Sequence, residues 1–134
     1  MKKVILSLDK YDNKQKEQTY YTELMAAYNN TLATGWLAEG GYTHRNGSQV
    51  IEPSLYFMNV SDKQYEYLLE LERKYDQESV LVVDQTNDKT FLVYLEGPSN
   101  PIYIGQWTQV SSTQLTDLEG FTRIADTFYA AVIS

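Results

Sequence analysis

The chain is 134 residues long and 43% hydrophobic, with 18 acidic against 11 basic side chains for a net charge of −7. That length suits one domain spanning residues 1–134 with one core, and 12 tyrosines beside the hydrophobic fraction mark a folded rather than a disordered chain. The acidity opposes attraction to DNA, RNA or an anionic membrane, and the absence of cysteine excludes disulfides, thiolate nucleophiles and Cys-ligated zinc.

The charge is uneven: residues 1–16 carry five lysines against two aspartates, and about half of all carboxylates fall between Asp62 and Glu96. Lys3 to Leu8 reads as a short strand, ended by the polar turn Asp9 to Asn13. Its apolar run, Val4-Ile5-Leu6, is broken by Ser7 and stopped by Asp9, far short of a signal-peptide core. No window approaches the ~18 apolar residues of a membrane span. A cytoplasmic protein is expected, in the host's cytoplasm if it is phage-encoded.

Tyr20, Leu24, Ala27, Tyr28, Thr31 and Leu32 recur at helical spacing and predict a helix over about Lys14 to Ala33, closed by Gly35. The stretch Gly35 to Phe57 follows, with four of the seven glycines, the only histidine and one of the two tryptophans. Gly40-Gly41 and Asn46-Gly47 tolerate positive φ, and apolar and aromatic residues flank them, so a twisted hairpin is expected with its tip at Thr43 to Ser48. Ser61 is placed to cap a helix over Asp62 to Tyr75, with Asp62 at the positive end of the dipole and Arg73-Lys74 at the negative end. Tyr65, Leu68, Leu69, Leu71 and Tyr75 form its buried side, while Glu66, Glu70 and Lys74 face solvent, with an i,i+4 pair between Glu70 and Lys74.

Ser79 to Asp84 is a continuous apolar run of the kind a central strand shows, and Thr90 to Leu95 is its antiparallel partner across the turn Thr86 to Lys89. The loop Glu96 to Pro101 leads to a strand over Ile102 to Val110, with a bulge at Gly105. Ser111 caps a helical turn through Leu118, and a last hairpin folds around Ala125-Asp126. These elements predict an α+β fold: a mostly antiparallel twisted sheet packed with two main helices, at about 14–33 and 62–75.

Glu52-Pro53-Ser54-Leu55-Tyr56-Phe57, the Ser61-capped helix and then Tyr75-Asp76-Gln77-Glu78-Ser79 resemble a pattern in a family of small bacterial and phage proteins of unknown function. In that family a Glu-x-Ser-apolar strand precedes a helix that ends in an aromatic-x-Gln element before a second strand. The resemblance covers residues 52–84 and implies a strand-helix-strand unit, with no activity to carry over. The family's upstream Asn-Pro element has no counterpart here, where Asn46-Gly47 stands.

Catalytic motifs are missing from the sequence: there is no phosphate-binding glycine loop, no nucleophile elbow and no paired-histidine zinc motif. Neither a cofactor nor a metal is expected. Glu70 and Glu72 read as solvated helix charges, and Asp84 and Asp88 as turn residues. Diverse polar chemistry gathers at the hairpin tip, where Tyr42, His44, Arg45, Asn46 and Glu52 are candidate ligand-binding residues for a nucleotide or another anionic small molecule. The leading expectation is a non-enzymatic inhibitor of phage or mobile-element origin, which presents Asp62, Glu66, Glu70 and Asp88 to a basic surface on a host nucleic-acid-binding defence protein. A ligand-binding module using the tip and a carboxylate-pair enzyme are the alternatives.

Overall fold

Strand residues one step apart belong to different apolar environments, and this double alternation sets the architecture. The computed structural model describes residues 1–7, 18–20, 22–26, 34–43, 48–75, 77–96, 101–118 and 120–133. Eight strands are formed: β1 (Lys2–Ser7), β2 (Thr34–Thr43), β3 (Gln49–Val60), β4 (Ser79–Asp84), β5 (Lys89–Tyr94), β6 (Ile102–Val110), β7 (Gly120–Ile124) and β8 (Thr127–Val132). All pair antiparallel and close into a barrel in the order β1-β3-β2-β7-β8-β6-β5-β4. Residues 18–20 and 22–26 are helical (α1), Asp62–Lys74 forms α2, and Ser112–Asp117 is a 3-10 turn.

Val4 and Leu6 of β1, Leu55 and Phe57 of β3, and Val80 and Val82 of β4 pack with Leu68, Leu69 and Leu71 of α2 and with Tyr20 and Leu24 of α1. Ile5, Tyr56 and Val83, one residue out of step on the same strands, form a second cluster with Trp107 inside the barrel. Each of these strands is therefore apolar on both faces, one against the helices and one against the lumen. A third cluster, Val110, Leu115, Phe121 and Ala130, anchors the 3-10 turn to β6, β7 and β8.

Several local expectations hold. The Ser61 side chain accepts the Gln64 N–H at 3.2 Å while the Gln64 side chain takes the Ser61 N–H at 2.9 Å, a reciprocal cap that starts α2. The hairpin pairs Tyr42 with Val50 and Thr43 with Gln49, β4 pairs with β5, and β7 turns into β8 at Ala125-Asp126. Gly105 sits at a break in the β5–β6 register with φ of 134°, and a Cβ there would meet the Val132 backbone at 2.7 Å, so glycine is required.

The α+β expectation is overturned, since the sheet is not an open layer under two main helices but a closed barrel with α1 and α2 on one side of its wall. A continuous apolar strand is read equally well as the middle of a helix-covered sheet or as the wall of a filled barrel. Closure rests on pairings between distant segments, β1 with β4 and β2 with β7, that leave no local trace. Gly40 and Gly41 lie within β2 rather than in a turn, and Gly35 is the second residue of that strand rather than the close of a helix. The predicted helix over 14–33 is seen in 18–20 and 22–26, and its remainder up to residue 33 lies outside the described residues. Lys74 does not pair with Glu70 but bonds Glu23 of α1 at 2.7 Å, tying the two helices together.

Glu72 is also corrected. It is 1% exposed rather than solvated, and the Tyr20 hydroxyl lies 2.8 and 2.9 Å from its two oxygens, donating to the carboxyl group. Burial pushes its pKa up to about 8, against the lowering pull of the Tyr20 bond.

Two predictions follow from this packing. Leu68→Ala, at a site 4% exposed, should cost about 2–5 kcal/mol in urea unfolding, and an unchanged midpoint would remove Leu68 from the core. For Glu72, the folded carboxyl keeps a proton that an unfolded one, near its ordinary value of 4.5, has released. Stability should therefore be fullest below that unfolded value and fall as pH rises towards about 8. Glu72→Gln should flatten this fall, and the same slope in both proteins would refute it.

Candidate active site

The lumen is divided along its length. At one end Trp107 and Tyr129 stack with ring planes 3° apart and centroids 5.8 Å apart, and Tyr56, Met58 and Ile124 complete a plug. Burial pushes the Tyr56 phenol up to about 12, so it stays protonated in this apolar filling. Beyond the plug lies a cavity of about 580 Å³, within the ~300–1,000 Å³ usual for small-molecule sites. It opens at the C-terminal ends of β2 and β8 and the N-terminal ends of β3, β4 and β7.

Two unlike walls enclose this cavity. On the contiguous strands β1, β4, β5 and β6, Ile5, Leu81, Leu92, Ile104 and Trp107 form a large apolar surface. On the other four strands the lining is mostly small or polar, with Glu52 and Ser54 of β3, Gly40 and Gly41 of β2, Gly120 and Thr122 of β7, and Ala130 and Ala131 of β8, and the Phe121 ring of β7 is its one large side chain. Gln77, Glu78 and Ser79 enter where α2 hands over to β4. Two carboxylates, Glu52 half-buried and Glu78 exposed, thus stand over a largely apolar interior. That arrangement suits a ligand that is cationic in one part and apolar or aromatic in another.

Of the hairpin-tip candidates, Glu52 lines the cavity. Tyr42 lies two residues beyond Gly40, its backbone paired with Val50 and Gly120, and its side chain is outside the described set. His44, Arg45 and Asn46 lie outside the described residues. The four acids assigned to a partner surface are exposed, and none of them lines the cavity. Asp62 bonds Lys2 at 2.7 Å, which holds its carboxyl below the usual range, Glu66 and Glu70 lie along α2, and Asp88 occupies the β4–β5 turn with φ of 59°. Asp84 accepts the Thr86 N–H at 2.9 Å, in the turn role expected of it.

Ser54, Gln77, Glu78 and Thr122 were not singled out as site residues by chemistry. The Glu-x-Ser and aromatic-x-Gln elements of the resemblance nevertheless contain Ser54 and Gln77, with Glu78 next in the chain, and folding brings these two elements onto one cavity from opposite ends of α2. Thr122 has no such signal, because its place depends on the pairing of β7 with β2.

Close approach of β2 to β7 shapes this wall. A Cβ at Gly41 would run into the Phe121 ring, and one at Gly120 would lie 3.3 Å from the Gly41 carbonyl. Gly41→Ala should therefore destabilise the fold by roughly 1–3 kcal/mol, and Phe121→Leu should recover part of that loss in a double-mutant cycle. Additive losses in thermal unfolding would show that the two sites are not in conflict.

A model of the S-adenosylmethionine lyase family matches residues 6–132. No curated protein matches the chain. The match extends far beyond residues 52–84 and covers all eight strands but the first residues of β1. It overturns the expectation of a non-enzymatic inhibitor acting on a host nucleic-acid-binding protein, which rested on acidity and on missing catalytic motifs. The chain belongs to the S-adenosylmethionine lyase family.

Proposed function

We propose that the protein cleaves S-adenosylmethionine in the barrel cavity. The observation that carries this reading, beside the family itself, is the pairing of two carboxylates with a deep apolar wall in one cavity of suitable size. S-Adenosylmethionine carries two positive charges, on its sulfonium and its ammonium, and a neutral aromatic base. The carboxylates favour the cationic part at the mouth, and the Leu81, Leu92 and Trp107 side accepts the base.

A lyase breaks the bond without water, and the substrate holds its own nucleophile. Its carboxylate oxygen attacks the methylene carbon beside sulfur, a new C–O bond closes a five-membered lactone, and the C–S bond breaks. The electron pair stays on sulfur, giving neutral 5′-methylthioadenosine and homoserine lactone, with no proton to move and no external base. This step cancels a negative charge against a positive one, so an interior poor in water accelerates it relative to solution. The protein's part is to fold the chain so that the reacting atoms meet, which needs positioning groups rather than a nucleophile of its own.

Incubation with S-adenosylmethionine, followed by chromatography and mass spectrometry, should show 5′-methylthioadenosine and homoserine lactone appearing in equal amounts. Glu52→Gln should lower kcat/KM by roughly tenfold or more while the fold persists. Accumulation of S-adenosylhomocysteine, or no loss of substrate, would overturn the reading.

A further inference from the structure

The polar contacts between α1 and α2 converge on one turn. The Tyr20 hydroxyl donates to Glu72 at 2.8 Å, and Glu23 accepts from Lys74 Nζ at 2.7 Å and from the Tyr75 hydroxyl at 2.6 Å. The Tyr20 and Tyr75 rings also pack with centroids 5.0 Å apart. Residues 72, 74 and 75 are the last turn of α2 and its cap. Directly beyond that turn the chain enters the cavity wall: the Gln77 N–H donates to the Glu72 carbonyl at 3.0 Å, and Gln77, Glu78 and Ser79 line the cavity. A helix on the outer side of the barrel therefore fastens the segment that shapes one edge of the cavity.

The two ties differ in kind. Glu23 and Lys74 are partly exposed, and the hydrogen bond between them holds the Glu23 carboxyl below its ordinary value and the Lys74 amine above its own. Both stay charged from mildly acidic to mildly alkaline pH, so this tie is steady, and solvent keeps it weak. Glu72 and Tyr20, by contrast, are 1% and 0% exposed. On that side of the barrel β1, β3 and β4 supply Val4, Leu6, Leu55, Phe57, Val80 and Val82, all apolar. Arg73, next to Glu72 in the chain, is exposed, and among the described residues no cation meets the Glu72 carboxyl. A neutral carboxyl is satisfied there by the Tyr20 hydroxyl. A carboxylate would be a buried charge with a tyrosine as its donor, which is costly. Lifting α1 would withdraw Tyr20 and let water reach that charge.

We propose that Tyr20 and Glu72 form a proton-operated latch, which holds α1 on the barrel while Glu72 carries its proton and, when the proton is lost, favours a state with α1 lifted, the strands still closed and the Gln77–Ser79 edge of the cavity released. The direction follows from proton binding in the two states. The latched carboxyl keeps its proton up to about pH 8, whereas a hydrated one releases it near the ordinary 4.5. Between those values the constant for lifting α1 rises about tenfold per pH unit. Below the lower value both states are protonated, above the upper both are ionised, and lifting no longer responds to pH. The latch acts whatever the cavity holds. It gives a carboxyl group control over one edge of the cavity in the pH range usually left to histidine.

The test is residue-resolved amide hydrogen exchange at about pH 5, 6 and 7, with wild-type protein and Glu72→Gln compared at each pH so that the intrinsic pH dependence of exchange cancels. Exchange at Tyr20 and Leu24 in wild-type protein, relative to the variant, should rise about tenfold from each pH to the next. The Gln77 amide should rise with them, and the amides of β4 and β5 should exchange far more slowly throughout. Tyr20→Phe keeps the ring on Tyr75 and removes the hydroxyl, so it should speed exchange in α1 by about tenfold at pH 5 while the strands hold. A constant ratio between wild type and Glu72→Gln overturns the latch, as does unchanged α1 exchange in Tyr20→Phe. Exchange of α1 and the strands at one common rate overturns it too, because α1 then leaves only when the whole barrel unfolds. A Gln77 amide that follows the strands instead of α1 overturns the link to the cavity.

Discussion

The pairing of β2 with β7 is the contact on which the rest of the molecule depends. It spans four register pairs, from Glu39 with Arg123 to Tyr42 with Gly120, and it joins the β1-β3-β2 hairpin region to the C-terminal strands. Without it the sheet would be open, with two long edges offering unpaired N–H and C=O groups. Gly41 makes the approach possible by admitting the Phe121 ring, and Gly120 keeps the opposing backbone clear of the Gly41 carbonyl. The Glu39–Arg123 ion pair across the same seam, 3.8 Å apart with both side chains close to half exposed, adds little, because solvent screens it.

Closure also divides the labour between strands. The two faces of β1, β3 and β4 serve separate cores, one under α1 and α2 and one within the lumen, so substitutions on the helix side act on stability while those on the lumen side act on the cavity. Helix-side polarity is used sparingly: Glu72 is kept uncharged at neutral pH by its burial and is met by Tyr20, while Glu23 gathers Lys74 and the Tyr75 hydroxyl at the helix ends. In the lumen, stacked Trp107 and Tyr129 fill one end, and small residues hollow out the other. The cavity therefore follows from residue size along four neighbouring strands.

On the proposed reading, chemistry at this cavity relies on charge placement more than on reactive side chains. A substrate that supplies its own leaving group and its own nucleophile asks the protein for orientation and for a dry, low-dielectric wall. On that reading, a member of this family needs no nucleophile elbow, zinc motif or phosphate loop. An excess of acidic side chains, which elsewhere suggests a basic protein partner, here also favours the approach of a small cation.

Local physics was legible in the residues themselves. The reciprocal cap at Ser61, the apolar side of α2, the β4–β5 and β7–β8 hairpins, and the bulge at Gly105 each depend on residues close together in the chain, and each forms as their types dictate. Glu52, Ser54 and Gln77 were visible as a pattern, but their roles were not, because a shared cavity needs the two ends of α2 to return to the same lumen. Tertiary structure alone decided that an apolar strand such as Val80 to Val83 is a barrel wall, that Glu72 lies buried rather than solvated, and that Thr122 stands beside Gly40. The reason is common to all three: strand alternation specifies that a residue has a neighbour on a given side, whereas hydrogen bonding between segments some eighty residues apart specifies which neighbour it is.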